Sequence, residues 1–125
     1  MTYFSEIVHL SDIARVHGDR CPEKKAFVFE DRVVTYKEFD INSEKVANGL
    51  VLENVVEQDR VAYMDKNSDR FYELVMGCAK SNSVIVGINW RLAPPEVAYI
   101  LNDSNAKILF ELNNKFNKVF IIIYI

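Results

Sequence analysis

The sequence predicts an α/β fold in which a helix and a β-hairpin precede a right-handed βαβαβ unit. Two observations carry the prediction. From residue 59 onward, short β-branched runs alternate with segments whose apolar residues recur at spacings of three and four, the period of an amphipathic helix. The run "SVIVGI" is apolar on both faces, the pattern of a parallel strand covered by helices on each side.

Residues 10 to 17, "LSDIARVH", are expected to form a short first helix with Ser11 as its cap and Gly18 as its stop. "AFVFEDRVVTY" reads as two β-rich runs about a turn at Glu30 and Asp31, a turn without glycine. In "TYKE" the Thr35 hydroxyl can accept from the N–H three residues on while Glu38 reaches back, a capping box. The helix it opens carries Tyr36, Phe39, Ser43, Val46, Ala47 and Leu50 on one face and is expected to end near Asn54.

"RVAYM" follows as a strand, and "FYELVMGCA" sets Phe71, Leu74, Val75, Cys78 and Ala79 on one helical face. After "SVIVGI", the helix in "PPEVAYILN" begins with proline in its first turn, where no N–H is needed, and is expected to bury Val97, Ile100 and Leu101. "KILFEL" closes the series as a third buried strand. Strand, helix and strand in this order join parallel strands by a right-handed crossover, a Rossmann-like arrangement. There is no internal repeat, and no boundary is expected before about residue 113.

Half of the 125 residues are hydrophobic and about a quarter are charged, the composition of one globular unit large enough for a core. Fifteen basic residues against eighteen acidic give a net charge of −3, without the basic excess of a nucleic-acid binder. Nucleic acid is therefore not an expected partner. The amino terminus has no signal-peptide pattern, and the apolar "VFIIIYI" falls far short of the roughly twenty residues needed to span a bilayer. A cytoplasmic chain without a membrane span is expected, with Cys21 and Cys78 as free thiols.

In a parallel sheet, ligands sit beyond the carboxyl ends of the strands. That rule selects Asp65, Lys66 and Asn67 after the first parallel strand and Asn89, Trp90 and Arg91 after the second. For each, the residues alone favour a structural reading: Asn67 or Ser68 caps the next helix, Lys66 is solvated, Arg91 pairs with an acid such as Glu96, and Trp90 packs. His9 and His17 have no partners at metal spacing. The four glycines are too far apart to form a phosphate loop.

The ordered set "VTYKEF" and "VVEQDRVAYMDKNSDRFYELVMGCAKSNSVIVGINWRLAPPEVAYILNDSNAKILF" resembles the amino-terminal part of the adenylate-forming superfamily, the AMP-binding acyl-CoA synthetases. Thr35, Tyr36, Glu38, Asp59, Val61, Ala62, Lys80, Asn89, Asp103, Ser104, Ala106 and Lys107 stand at matching positions in unbroken register, across about residues 10 to 110. Asn54, Gln58 and Asn82 replace family glycines, and Gly87 replaces a proline. Asparagine tolerates the left-handed conformation best among the other residues, whereas Gln58 costs stability if its position needs positive φ. Ser81 and Ser83 fit if their hydroxyls bond back to the helix.

The resemblance implies that residues 1–112 are a partial amino-terminal lobe, an incomplete part of a larger adenylate-forming domain. It implies ATP-dependent activation of a small carboxylic acid, as in fatty acid metabolism, to an acyl-adenylate and then to a thioester with CoA. ATP, Mg²⁺ and CoA are the cofactors of the full-length family, and Arg91 matches a contact to CoA phosphate. The family's Ser/Thr/Gly-rich loop, ribose-binding Asp and catalytic Lys do not occur in the sequence. No catalytic residue or metal ligand is assigned. By itself the chain is expected to be a truncated, catalytically inactive piece that binds none of the three cofactors tightly. The alternative is a non-catalytic binding or regulatory module that pairs with a full-length synthetase. Residues 113–125 are rich in Asn, Lys, Phe, Ile and Tyr, whose codons are rich in A and T, and are expected to be an apolar tail of non-family sequence. Self-association through an exposed sheet edge and this tail is expected.

Overall fold

Helices and strands follow one another in the expected order through β5, with one further strand after it: α1 (Asp12–Arg20), β1 (Lys25–Phe29), β2 (Arg32–Thr35), α2 (Tyr36–Leu52), β3 (Arg60–Met64), α3 (Asp69–Lys80), β4 (Val84–Ile88), α4 (Pro94–Ser104), β5 (Ala106–Asn113) and β6 (Lys118–Ile123). The computed structural model describes the backbone of residues 5–113 and 118–123 and the side chains as far as residue 111. β1 and β2 form the hairpin, and the second sheet has the order β4-β3-β5-β6. Within it β4, β3 and β5 run parallel, while β6 is antiparallel to β5.

β3 lies at the centre, with Val61 and Ala62 fully buried and Tyr63 nearly so. From it the chain passes through α3 to β4, then crosses back through α4 to β5. α2 and α3 cover one face, where Leu50, Val61, Leu74, Cys78 and Ile108 cluster. α4 covers the other, where Ala62, Ile88, Leu101 and Leu109 meet. A third cluster, built on Ala14, Val34, Phe39 and Met76, fastens α1 and the hairpin to α2 and α3.

Local signals account for several boundaries. The capping box forms as expected: the Glu38 N–H donates to Thr35 Oγ1 at 3.2 Å, and the Thr35 N–H to Glu38 Oε2 at 2.8 Å. Glu30 takes φ of 51° in the hairpin turn, supplying without glycine the positive φ that tight hairpins favour. Asn54, Gln58 and Asn82, the three replacements for family glycines, have φ of 60°, 64° and 54°. Ser81 Oγ and Ser83 Oγ donate to Cys78 O at 3.2 and 3.5 Å. Both cysteines are free.

Several expectations are corrected. The first helix does not stop at Gly18 but runs to Arg20, because Gly18 is buried at a close approach. A Cβ there would lie 3.3 Å from both Asp40 Cβ and Tyr36 O. Ser11 holds the N-cap position without a side-chain cap bond. Asp12 Oδ2 accepts instead from the N–H groups of Val8 and His9, at 3.1 and 2.9 Å. β4 has a helix on each face, with Ile85 packed against the α2/α3 cluster and Ile88 in the α4 cluster, but it lies at an edge, with β3 as its one neighbour among the described strands and Val84 39% exposed. Val97 and Ile100 are half-buried, and Leu101 is the buried residue of α4. "KILFEL" is not the last strand of the sheet, since Lys118–Ile123 pair with Ile108–Asn113 of β5.

α3 also buries a second face that its apolar stripe did not announce. Glu73 accepts from Asn42 Nδ2 at 2.7 Å and from Arg70 Nη1 at 2.8 Å. Lys80 Nζ donates to Asp40 Oδ1 at 2.7 Å and to Glu44 Oε2 at 3.1 Å. Between these polar groups Gly77 lets α3 approach Val46 of α2.

Candidate functional site

Adjacent strands β3 and β4 send their following helices to opposite faces of the sheet, so a crevice opens between their carboxyl ends, the position that α/β sheets use for ligands. It has a volume of about 520 Å³ and is lined by Tyr63 near the end of β3, by Asp65 and Lys66 from the loop that follows, and by Asn89, Trp90 and Arg91 from the other loop. The two loops named from the sequence therefore do converge.

Each loop is fixed by its own hydrogen bonds. Asp65 Oδ1 accepts from the Lys66 N–H at 2.6 Å, and the Tyr63 hydroxyl donates to Lys66 O at 2.8 Å. Tyr63 is buried, which pushes its hydroxyl pKa up and keeps it a neutral donor. On the other side Asn89 Oδ1 accepts from the Arg91 N–H at 3.0 Å, and Asn89 O from the Leu92 N–H at 3.1 Å, a turn stabilised by the asparagine side chain.

The expected structural roles fail at four residues. Glu96 does not pair with Arg91; its Oε2 accepts from the Ala93 N–H at 2.9 Å and closes the start of α4. Ser68 occupies the N-cap position of α3 but makes no side-chain cap bond. Trp90 is not a packing residue, being 45% exposed. Lys66 is not merely solvated: its Nζ stands 5.1 Å from the centroid of the Trp90 ring, and Arg91 Cζ stands 5.0 Å from the same centroid. Among the described residues neither cation forms an ion pair. The carboxyl-end rule identified both loops, but nothing in the sequence pattern joined Lys66 to Trp90, which is far from it along the chain.

Such an arrangement suits a phosphate-bearing ligand, since guanidinium and ammonium groups over an aromatic face keep N–H donors for an anion. It does not suit a metal: no group of three or more His, Cys, Asp or Glu among the described residues could hold one.

A profile of the AMP-binding enzyme family matches residues 14–121. The chain belongs to the AMP-binding enzyme family. The match runs past residue 113 into β6. Among relatives, the fatty acid–[acyl-carrier-protein] ligase ScoC of Streptomyces coeruleorubidus is 41% identical over 82% of this chain and 20% of its own length. The long-chain-fatty-acid–CoA ligase FadD13 of Mycobacterium tuberculosis is 38% identical over 70% of this chain and 18% of its own. The inhibitor-bound N-terminal domain of FACL13 from Mycobacterium tuberculosis superposes with a TM-score of 0.77 at 34% identity, covering 81% of this chain and 26% of that one. The chain spans about a fifth of the length of the curated relatives it matches. No helix among its described residues is long and apolar enough to cross a membrane.

In this chain most of the motif residues that carry the resemblance have structural jobs. Thr35 and Glu38 cap α2. Asp59 accepts from the Val56 N–H at 2.8 Å while Lys107 Nζ lies 2.6 Å from the same carboxylate oxygen, tying the entry to β3 to β5. Asn89 is the exception, because its side chain shapes the crevice.

Proposed function

We propose that the chain works as the amino-terminal part of an ATP-dependent acyl-CoA synthetase of the cytoplasm and that Arg91 binds a phosphate of the acceptor thiol. The observation that carries this is Arg91 itself, exposed at the strand-end crevice, held by Asn89 and Trp90 and without an ion pair among the described residues. In the reaction class, a carboxylate attacks the α-phosphate of Mg²⁺-bound ATP to give an acyl-adenylate and pyrophosphate, and a thiol then displaces AMP to give the thioester. Arg91 acts in the second half alone, by binding and orienting the acceptor, a contribution of position rather than bond-making. Alone, the chain makes no acyl-adenylate, because the family's phosphate loop and catalytic lysine do not occur among its residues.

The exposed surface supports a lobe that packs on further structure over a self-sufficient regulatory module. Val28, Val33, Val84 and Tyr99 are 64%, 47%, 39% and 69% exposed, where an independent domain would place charge.

The test is a chimera in which residues 14–112 replace the matching segment of FadD13. Arg91→Ala in that chimera is expected to raise KM for CoA and leave acid-dependent ATP–pyrophosphate exchange unchanged. Equal losses in both half-reactions remove the assignment. Acid-dependent pyrophosphate release by the isolated chain, above a no-protein control, removes the reading of it as inactive.

A further inference from the structure

We infer that Lys66 is a second phosphate-binding cation of this crevice. With Arg91 over the Trp90 ring, it selects an acceptor carrying several phosphates, as free CoA does, over a phosphopantetheine arm with a single phosphodiester. The inference rests on the assignment of Arg91 above. It asks which acceptor the crevice reads, a question sharpened by relatives whose names include both an acyl-carrier-protein ligase and CoA ligases.

Lys66 and Arg91 come from different loops and reach the same indole, so their charges lie no more than about 10 Å apart. Two cations drawn from separate loops can meet phosphate charge at more than one point of a ligand, as the diphosphate bridge and ribose phosphate of CoA present it. The one acid lining the crevice, Asp65, turns an oxygen to the Lys66 N–H, which fixes the Lys66 backbone. Asn89 does the same for the Arg91 backbone. Both cations are thus carried on loops already ordered without ligand, which lowers the entropic cost of binding. In a chain of net charge −3, this local positive site also draws anions to the crevice and away from the rest of the surface.

Trp90 is the one tryptophan in the sequence, so its fluorescence reports occupancy of the site directly. The full chain is titrated at low salt with adenosine 3′,5′-bisphosphate and separately with 4′-phosphopantetheine. The bisphosphate is expected to give a saturable change in emission and to bind at least about fivefold more tightly than phosphopantetheine. Lys66→Gln and Arg91→Gln are each expected to weaken it about fivefold, the scale of one exposed charge pair. Lys66→Arg is expected to retain it. If Lys66→Gln binds the bisphosphate as tightly as the parent while Arg91→Gln does not, the role of Lys66 is overturned and that of Arg91 stands. Equal affinity for the two ligands overturns the selectivity. No binding of the bisphosphate by the parent chain overturns both assignments.

Discussion

Arg32 of the hairpin grips Asp69 at the first turn of α3 with two nitrogens, Nη2 to Oδ1 at 2.6 Å and Nε to Oδ2 at 3.0 Å. Asp69 is only 2% exposed, so its charge depends on that guanidinium and on the positive end of the helix. The bond to Arg32 holds the Asp69 carboxyl below the usual carboxylate range. It also locks the hairpin to the helix that leaves the ligand crevice.

Arg32→Ala is expected to cost about 2 kcal/mol. The figure is reduced from that of a fully buried pair because Arg32 is 42% exposed. Urea denaturation should show a lower midpoint with an unchanged slope. Replacing both partners, as Arg32→Met with Asp69→Leu, should recover most of the loss, because no buried charge is then left alone. A loss of only about 0.5 kcal/mol in the single variant would class the pair with ordinary surface bridges.

Acid should destabilise the fold over a defined range. Arg15 beside Asp12 pushes that carboxyl down to about 2, Lys107 lowers Asp59, and Arg32 lowers Asp69. A folded pKa below the unfolded value of about 3.9 means stability is complete above that pH and is lost as pH falls through the folded value. The thermal midpoint is therefore expected to fall between about pH 4 and pH 2. Asp69→Asn should start lower at neutral pH and lose less across that window. An acid limb just as steep in Asp69→Asn would remove this carboxyl from the account.

Gly77→Ala is expected to destabilise although alanine is the better helix former by about 1 kcal/mol. Its Cβ would lie 2.3 Å from Val46 Cγ1 and 2.7 Å from Val46 Cβ, an overpacking that costs about 1–3 kcal/mol. In a Val46→Gly background, which removes both clashing atoms, the same substitution should cost much less. A double-mutant cycle with no coupling between the two positions would show that the helices part without penalty.

At Gln58 the usual order of glycine and alanine should reverse. Its φ of 64° is left-handed, and its side chain donates to Asn82 Oδ1 at 2.9 Å. Both Gln58→Ala and Gln58→Gly lose that exposed bond, but only glycine relieves the backbone strain of about 1 kcal/mol. The glycine variant should therefore be the more stable of the two by about that amount. A more stable alanine variant would mean that the strain is absent in solution.

Removing residues 113–125 is expected to lower the thermal midpoint, because β6 pairs with β5 from Lys118 to Ile123 and its loss bares a strand edge. Hydrogen exchange in β5 should quicken. An unchanged midpoint with improved solubility would instead identify the tail as an appendage to a core that ends at Leu112.

The sequence by itself determined the order of helices and strands and the cap at Thr35 and Glu38. It also marked the positions suited to left-handed backbone at Asn54 and Asn82, and the two loops at the strand ends. These depend on side chains one to four residues apart, or on a periodicity within one element, and such relations are written along the chain. Ser11 and Gly18 misled because a cap and a helix stop are local preferences that a packed environment overrides. Asp12 supplied the bonds at one end of α1, and contact with Asp40 and Tyr36 required Gly18 within the helix.

Only the tertiary structure decided that β4 lies at an edge, that α3 buries Glu73 and Gly77 against α2, and that Lys66 and Arg91 share the Trp90 ring. Arg32 and Asp69 are 37 residues apart, and Lys80 and Asp40 are 40 apart. No periodicity relates residues at such distances. Their meeting follows from the hairpin and α2 packing beside α3 on one face of the sheet, while placing β3 between β4 and β5 sends α3 and α4 to opposite faces. That geometry brings the two loops to one crevice, where charges distant in sequence become neighbours.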